Sequence, residues 1–449
     1  MDDVASWHAL LRQSHELTPE YAAAFADAMR ARKLTFGDRV HCRVLRPFFL
    51  SAADDARIRS AAEVLASVGE RVAAAAAEDP QLRAALGVTE AEERLIRIDP
   101  GYRTASTASR VDAFMLPDSI RFAEYNAESP AGPAYTERLS ELFDALEPMR
   151  QFRRSRSVTF HRTIPPLLAA LLDSYREWGG RAAPPSVAIV DWREVPTWTE
   201  FELLRDAFVQ SGVPTVVCDP RELTFDGSVL RADGRAIDLV YRRVLVNDVI
   251  ARHEECRALV EAYERRAACV ANTFRCKLPH KKAFFAVLTD PDYAHLFSPL
   301  EQQVARSHVP WTRLVADGTV ERHGHHVPLL YFARREREQL VLKPNDEYGG
   351  TGVTLGWEAD ERGWDSALNT ALSDPAGAWV IQERIAVRRE VFPQFDEEGR
   401  VTMREMLVDL APYLFRGRMS GYLTRLSATG LANVTSGGGQ TAAFVVARG

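Results

Sequence analysis

The sequence predicts a multi-lobed α/β (α+β) protein, and three features carry that prediction. The chain has 449 residues, too many for one ordinary hydrophobic core, so two or three lobes sharing a cleft are expected. Residues 1 to 90 are rich in Ala, Arg, Glu and Leu, with helical spacing of apolar positions in AAEVLASVGERVAAAA and almost no Gly, which predicts an N-terminal helical region. Residues 186 to 245 read SVAIVDW, then EFELLRDAFVQSG, then VPTVVCD and later AIDLVYRRVLV. Strand, helix, Gly stop and strand make a parallel βαβ unit, the core of a small Rossmann-like lobe. It carries no GxGxxG, so no dinucleotide is assigned to it.

The remaining segments follow from local texture. From Leu95 short alternating runs broken by turn residues read as paired strands, and a helical pattern returns from Tyr135. After a helical stretch through about residue 300, residues 339 to 449 return to strands, turns and one short helix around DSALNTALSDP. Hydrophobic content of 46% with 26% charged residues is ordinary globular composition. A formal net charge of -6 gives no reason to expect a nucleic-acid partner. The N-terminus MDDVASWHALLRQSHEL has neither a basic nor an apolar leader region, and no apolar run approaches membrane-spanning length, so a cytoplasmic protein without a membrane partner is expected. Five cysteines at irregular spacings, without a CxxC pair, read as reduced and mostly buried thiols.

The most informative segment is RVDAFMLPDSIRFAEYN, residues 110 to 126, where Pro117-Asp118-Ser119 is a turn between two flanks of strand composition. Centring the hairpin on Asp118 pairs Asp112 with Glu124, Phe114 with Phe122, and Arg110 with Asn126. The period of two then puts all six on one sheet face, apolar near the turn and polar at the open end. Two carboxylates directly opposite one another repel, which calls for a cation. With oxygen ligands only and no local His or Cys, magnesium fits better than zinc. Arg110 lies beside them, able to neutralise a phosphate on the same metal. A solvated hairpin with scattered charges is the competing reading.

RVD, then EYN after the same interval, followed by AESPAG, resembles the RFD and EYNADTPT stretch of the synthetase domain of glutathionylspermidine synthases, and of the wider circularly permuted ATP-grasp families related to them. The resemblance implies that Asp112, Glu124 and Asn126 bind magnesium and that Arg110 contacts the phosphates of ATP. Glu128 and Ser129, in the following loop, read as loop-stabilising rather than substrate-facing.

The second half of the resemblance lies near the C-terminus. QLVLKPNDEYGGTGVTLGW is an apolar strand ending in Lys343, a loop with Gly349, Gly350 and Gly352, and another apolar strand. Such a loop can fold over phosphates with bare backbone N–H groups while the lysine at its mouth supplies charge; a plain hairpin with a flexible turn is the alternative. No GKS or GKT follows, so it is not a Walker A loop. LKPxxxxGGTGV resembles the ATP-grasp glycine-rich loop, and Lys282 in PHKKAFFAVL resembles the second nucleotide-gripping lysine, with Lys281 a competing choice. WVIQERI resembles the hinge that lines the adenine, which implies Gln382, Glu383 and Ile385 as base contacts. GYLTRLSATGLANVTSGGG resembles the closing strand whose Gly-x-x-x-Arg carries a phosphate-reaching arginine, here Arg425, with Leu431 continuing towards the adenine. Asp409 is left out of the site.

The fold this implies is a circularly permuted ATP-grasp, metal hairpin first and lysine loop last. Its expected parts are an N-terminal helical region at 1–90, the metal-binding half at 91–160, the Rossmann-like lobe at 161–250 and the nucleotide-binding half at 251–449. The implied activity is an ATP-dependent carboxylate-amine ligase that forms an amide through an acyl phosphate and releases ADP and phosphate, with ATP and Mg2+ as cofactors. Its partners would be a small-molecule carboxylate and an amine, neither identified by the sequence, which also leaves the oligomeric state open. A kinase on the same fold and a non-catalytic nucleotide-binding scaffold are the rival readings. His323-Gly324-His325-His326 sits in a Gly-containing turn without a carboxylate pattern and reads as a surface loop. No GxSxG elbow occurs.

Overall fold

The computed structural model describes residues 3–14, 16–37, 39–117, 119–347, 349–374, 377–428 and 439–447. Its largest sheet has six strands, in the order Gly439–Thr441, Arg418–Ser427, Val401–Phe415, Ala108–Met115 and Ile120–Asn126, with Arg389–Phe395 paired to the first half of Val401–Phe415. Every pairing in it is antiparallel. The long strand has a sequence reason. From residue 406 to 415 it reads MLVDLAPYLF and is buried throughout, as a strand covered on both faces must be, and the one charge in that run is Asp409.

One face of this sheet is covered by the N-terminal helices. Ala52–Glu78 runs 27 residues, opened by Ser51, whose hydroxyl accepts from the Asp54 N–H. Its stripe of Ala62, Leu65, Val68 and Val72 shares one core with Val111, Phe122, Tyr125 and Leu410. Glu70 of the same helix accepts from the Ala105 and Ser106 N–H groups at 2.7 and 2.9 Å, which fixes the entry into strand Ala108–Met115. Packing therefore ties the helical region to the hairpin directly.

The βαβ pattern forms a four-stranded parallel sheet ordered Cys269–Ala271, Leu239–Arg242, Val187–Val190, Thr215–Cys218. Its strands are short, β-branched and mostly buried, with helix Trp198–Gln210 packed on one face and Arg257–Glu264 on the other. The edge strand Cys269–Ala271 lies beyond the segment that showed the pattern, because three residues carry no periodicity. A second antiparallel sheet holds Thr312–Leu314, Trp379–Glu383, Leu340–Pro344 and Thr354–Leu355. The short helix expected near DSALNTALSDP runs Glu361–Ser373 and buries Trp364 and Leu368 against Leu340, Leu342 and Ile381 of this sheet. Among the described residues no helix is long and apolar enough to cross a membrane.

The loop 127–132 joins the hairpin to the parallel sheet. Asn272, 1% exposed, accepts from the Ala108 N–H and donates to the carbonyls of Ala108, Ala127 and Glu128. Glu200 accepts from the Gly132 N–H at 2.8 Å and the Ala134 N–H at 3.2 Å, capping helix Pro133–Asp144, which has no side-chain cap of its own. Gly132 turns with φ 106°. A Cβ there would lie 2.4 Å from the Tyr413 hydroxyl, which donates to the Ala131 carbonyl at 2.9 Å. Gly132→Ala should therefore cost about 2–4 kcal/mol in urea unfolding, from backbone strain and overpacking together. Gly179→Ala, at φ 94° but with nothing within 4 Å of its Cβ, should cost about 1 kcal/mol. Equal losses in the two variants would show that the Tyr413 contact is not the constraint.

Candidate functional site

The hairpin register holds at its polar end: Arg110 lies opposite Asn126 and Asp112 opposite Glu124. Towards the turn it does not. The register shifts between Asp112 and Ala113, so Ala113 faces Phe122 and Phe114 faces Arg121. The expected Phe114–Phe122 pair is thus corrected, and the six residues do not share one face. The extra residue is Ala123, a β-bulge that puts two consecutive residues, Ala123 and Glu124, on the same side. Phe122 then turns into the core, fully buried, while Phe114 lines a cleft. Asp118, the expected turn centre, lies outside the described residues.

This cleft lies between the six-stranded sheet and the second antiparallel sheet. Asp112, Glu124, Lys282, Lys343, Gly349, Gly350, Gln382, Glu383, Ile385 and Arg425 all line it. Of the other site residues expected from the sequence, Arg110, Asn126 and Gly352 do not. Arg110 sits behind Asp112, donating to its Oδ1 at 2.9 Å and to the Ala131 carbonyl at 3.2 Å. Asn126 stands one step further along the strand and donates to Glu124 Oε1 at 3.2 Å. Gly352 lines a separate cavity with Glu92, Lys281 and Asp346, and a Cβ on it would meet Pro344 at 2.7 Å. Leu431 lies outside the described residues.

The lysines are sorted by geometry. Lys281, 3% exposed, is spent on Glu92 at 2.6 Å and Asp346 at 3.0 Å, away from the cleft. Lys282 enters the cleft, with its Nζ 3.7 Å from Glu124 Oε2 and donating to the Glu347 carbonyl. Lys343 donates to Gln382 Oε1 at 2.7 Å and to the Ala123 carbonyl at 3.3 Å, so the bulge supplies it with an acceptor. Gly349, Gly350 and Gly352 all have positive φ, the backbone for which a glycine loop is suited.

Asp409, left out of the site by the sequence reading, is in it. Its carboxylate lines the cleft and accepts from Arg425 Nε at 2.6 Å, and Arg425 Nη2 contacts both Asp409 and Asp112. Burial tends to raise the Asp112 carboxyl, but Arg110 and Arg425 outweigh it and hold the group well below the usual carboxylate range. Burial pushes the Asp409 carboxyl up, with the Asp112 charge adding to the rise and Arg425 opposing it. A lone charge in an apolar strand, as in MLVDLAPYLF, was the available signal for it. Trp357, Val353 and Leu355 also line the cleft and give it an apolar wall that the sequence did not single out.

Asp112, Glu124 and Asn126 offer oxygen donors only, the set a hard divalent cation prefers. Each Asp112 oxygen already takes an arginine N–H but keeps a further lone pair, so the set fits such a cation with its remaining positions filled from elsewhere. Among the described residues no group of three or more His, Cys, Asp and Glu is arranged to hold a metal, and His325 and His326 are exposed on the hairpin Thr319–Arg322/His325–Pro328.

No family model matches the sequence, and no curated protein matches it. The structure is similar to that of a glutathione synthetase-like effector from Globodera pallida in its apo form, with TM-score 0.63 and 12% identity over 95% of this chain and 96% of that one. The "Putative gamma-glutamylcysteine synthetase" of Methylobacillus flagellatus KT aligns over 81% of this chain and 82% of its own, at TM-score 0.40 and 11% identity. At these identities the first similarity defines a shared fold.

Burial lowers the Lys343 ammonium to about 8, with Glu124 opposing the drop and Lys282 adding to it. The folded chain gives up this proton before the unfolded one, whose lysines hold theirs to about 10.4. Its contribution to stability therefore rises between pH about 8 and that value, because there the unfolded state binds more protons. Lys343→Met should stabilise the ligand-free chain at pH 7 by about 1–2 kcal/mol and remove that rise. Urea midpoints measured from pH 7 to 10 check both, and a variant less stable than the parent at pH 7 would contradict them.

Proposed function

We propose that the chain is an ATP-dependent carbon–nitrogen ligase built as a circularly permuted ATP-grasp, joining a small carboxylate to an amine through an acyl phosphate. The observation that carries this reading is one cleft lined at once by the hairpin carboxylates Asp112 and Glu124, the cations Lys282, Lys343 and Arg425, and the glycines 349 and 350. The shared fold with a glutathione synthetase-like protein supports it. So does the order along the chain, carboxylate hairpin early and lysine-glycine loop late.

On this reading the apolar wall of Val341, Leu355 and Ile385 takes the adenine, with Gln382 and Glu383 at its polar edge. Lys343, Lys282 and Arg425 meet the phosphate oxygens, where charge-assisted hydrogen bonds are strongest, and the glycine N–H groups face the same anion. Asp112, Glu124 and Asn126 would hold magnesium, which when bound supplies Lewis-acid charge to the transferring phosphoryl group. A substrate carboxylate oxygen attacks the terminal phosphorus, the bond to ADP breaks, and the acyl phosphate remains. The amine nitrogen then attacks the acyl carbon, phosphate leaves and the amine proton passes to solvent. The glycine loop over the cleft would exclude water from the acyl phosphate.

Hydroxylamine tests the chemistry. With ATP, Mg2+ and the correct carboxylate, a hydroxamate should accumulate in step with ADP, without AMP, and oxygen-18 from the carboxylate should appear in released phosphate. Absence of that label during amide formation rules out the acyl phosphate, and a stable phosphorylated acceptor without amide favours a kinase.

Two further outcomes are expected. Asp112→Asn and Glu124→Gln should abolish turnover with the fold retained, and normal rates in both at limiting magnesium would remove the metal assignment. Lys343→Ala should weaken MgATP binding about tenfold or more, the worth of a charge-assisted contact, while His325→Ala changes nothing. In the parent, affinity should fall as pH rises through about 8, since Lys343 loses the charge that attracts phosphate. Lys343→Arg should flatten that profile in calorimetric titrations.

A further inference from the structure

The strand Val401–Phe415 pairs with Ala108–Met115 only between Ala108↔Phe415 and Arg110↔Tyr413. Past Arg110 the ladder ends, and side chains span the gap. Asp409, 1% exposed, accepts at Oδ1 from the Ala113 N–H at 3.1 Å, beside the residue where the hairpin register shifts. Its Oδ2 accepts from Arg425 Nε at 2.6 Å, and Arg425 is its direct partner on the neighbouring strand. Arg425 reaches on across the same gap to Asp112 Oδ2. One carboxylate thus closes a backbone N–H left without a ladder partner and holds the arginine at the cleft wall.

We infer that Asp409 is a positioning residue for Arg425. The inference rests on the proposed nucleotide reading of the cleft. Its physical basis is competition for Asp112. With Asp112 as its only acid partner, Arg425 would have to choose between neutralising that carboxylate and meeting a phosphate, and each time it let go it would be a buried cation without a counter-charge. With Asp409 holding Nε, the guanidinium stays charged, paired and oriented while Asp112 turns to another cation. The fork geometry of arginine makes this possible, since Nε is held on one side and Nη1 has no partner among the described residues.

Asp409→Asn separates the two roles, because it keeps an oxygen for the Ala113 N–H and puts an amide NH2 where Oδ2 accepted from Arg425, which removes both the charge and the acceptor that hold the guanidinium. MgATP titrated calorimetrically into the parent, D409N, R425A and the double variant, with a urea midpoint for each, tests the inference. D409N should bind about tenfold more weakly, and the double variant should bind no more weakly than R425A alone, because Asp409 acts through that side chain. A purely structural role would multiply the two losses. Parent-like binding by D409N, or multiplied losses, overturns the inference and leaves the nucleotide reading intact. A parent that does not bind MgATP overturns both. Should D409N fail to fold, R425K supplies the test. A point charge cannot stay on Asp409 while reaching further, so it should also lose about tenfold at an unchanged urea midpoint, and parent-like binding by R425K overturns the inference.

Discussion

The carboxylate of Glu128 is the charge on which the joint between the sheets depends. It is 1% exposed, and burial would raise it, yet Lys277 and Arg242 hold it down to about 2. Arg242 Nη1 lies 3.2 Å away at the end of a parallel strand, and Lys277 Nζ 3.3 Å away on the segment leading to Lys282. Lys277 passes to Asp346 Oδ1 at 2.7 Å, Asp346 to Lys281, and Lys281 to Glu92. Removing one member of such a chain leaves a buried charge uncompensated, at about 3–5 kcal/mol, so the chain survives only complete. It connects the hairpin exit, the parallel sheet, the N-terminal helices and the root of the glycine loop.

The geometry of the cleft follows from that chain. Lys282 comes one residue after Lys281, and its backbone N–H donates to the Asn345 carbonyl at 2.9 Å, while Asn345 Oδ1 accepts from the Ala283 N–H at 2.8 Å. Lys343, two residues before Asn345, is thereby fixed relative to Lys282, and both relative to the hairpin that carries Glu128 two residues after Asn126. The positions of the cleft lysines and carboxylates are consequences of one buried ionic network some distance from the cleft.

Part of this was legible in the sequence. Alternation with a turn at 117–119 pointed to the pairing of Asp112 with Glu124, yet the strands leave the turn one residue out of that register, with Met115 opposite Ile120, and the bulge restores it at the open end. The bulge at Ala123 was not legible, since one extra residue in a strand changes no composition, and Phe114 and Phe122 looked equivalent until the register shift sent them to opposite sides. Lys281 and Lys282 could not be separated because adjacent lysines at the start of a helix have the same local chemistry, and only the partners Glu92 and Asp346, distant in sequence, decide between them. Asp409 was missed for a related reason. Its meaning depends on where the ladder between two strands stops, which is a property of the assembled sheet.

Two of the three cations lining the cleft are answered by carboxylates of the protein's own, Arg425 by Asp112 and Asp409, and Lys282 by Glu124 across 3.7 Å, while Lys343 meets the neutral oxygens of Gln382 and Ala123. Such pairing keeps a partly buried site from holding bare charge, whose desolvation would cost several kcal/mol per ion. It also sets what kind of ligand can enter cheaply. A simple anion would claim the lysines and the arginine and strand the carboxylates, whereas a simple cation would do the reverse. A ligand that brings a cation and a polyanion together exchanges each internal pair for an external one, so little electrostatic energy is lost on entry. The largely self-neutralised cleft is in this sense a filter, and a metal–nucleotide complex of the kind proposed is the class of molecule that passes it without leaving a buried charge behind.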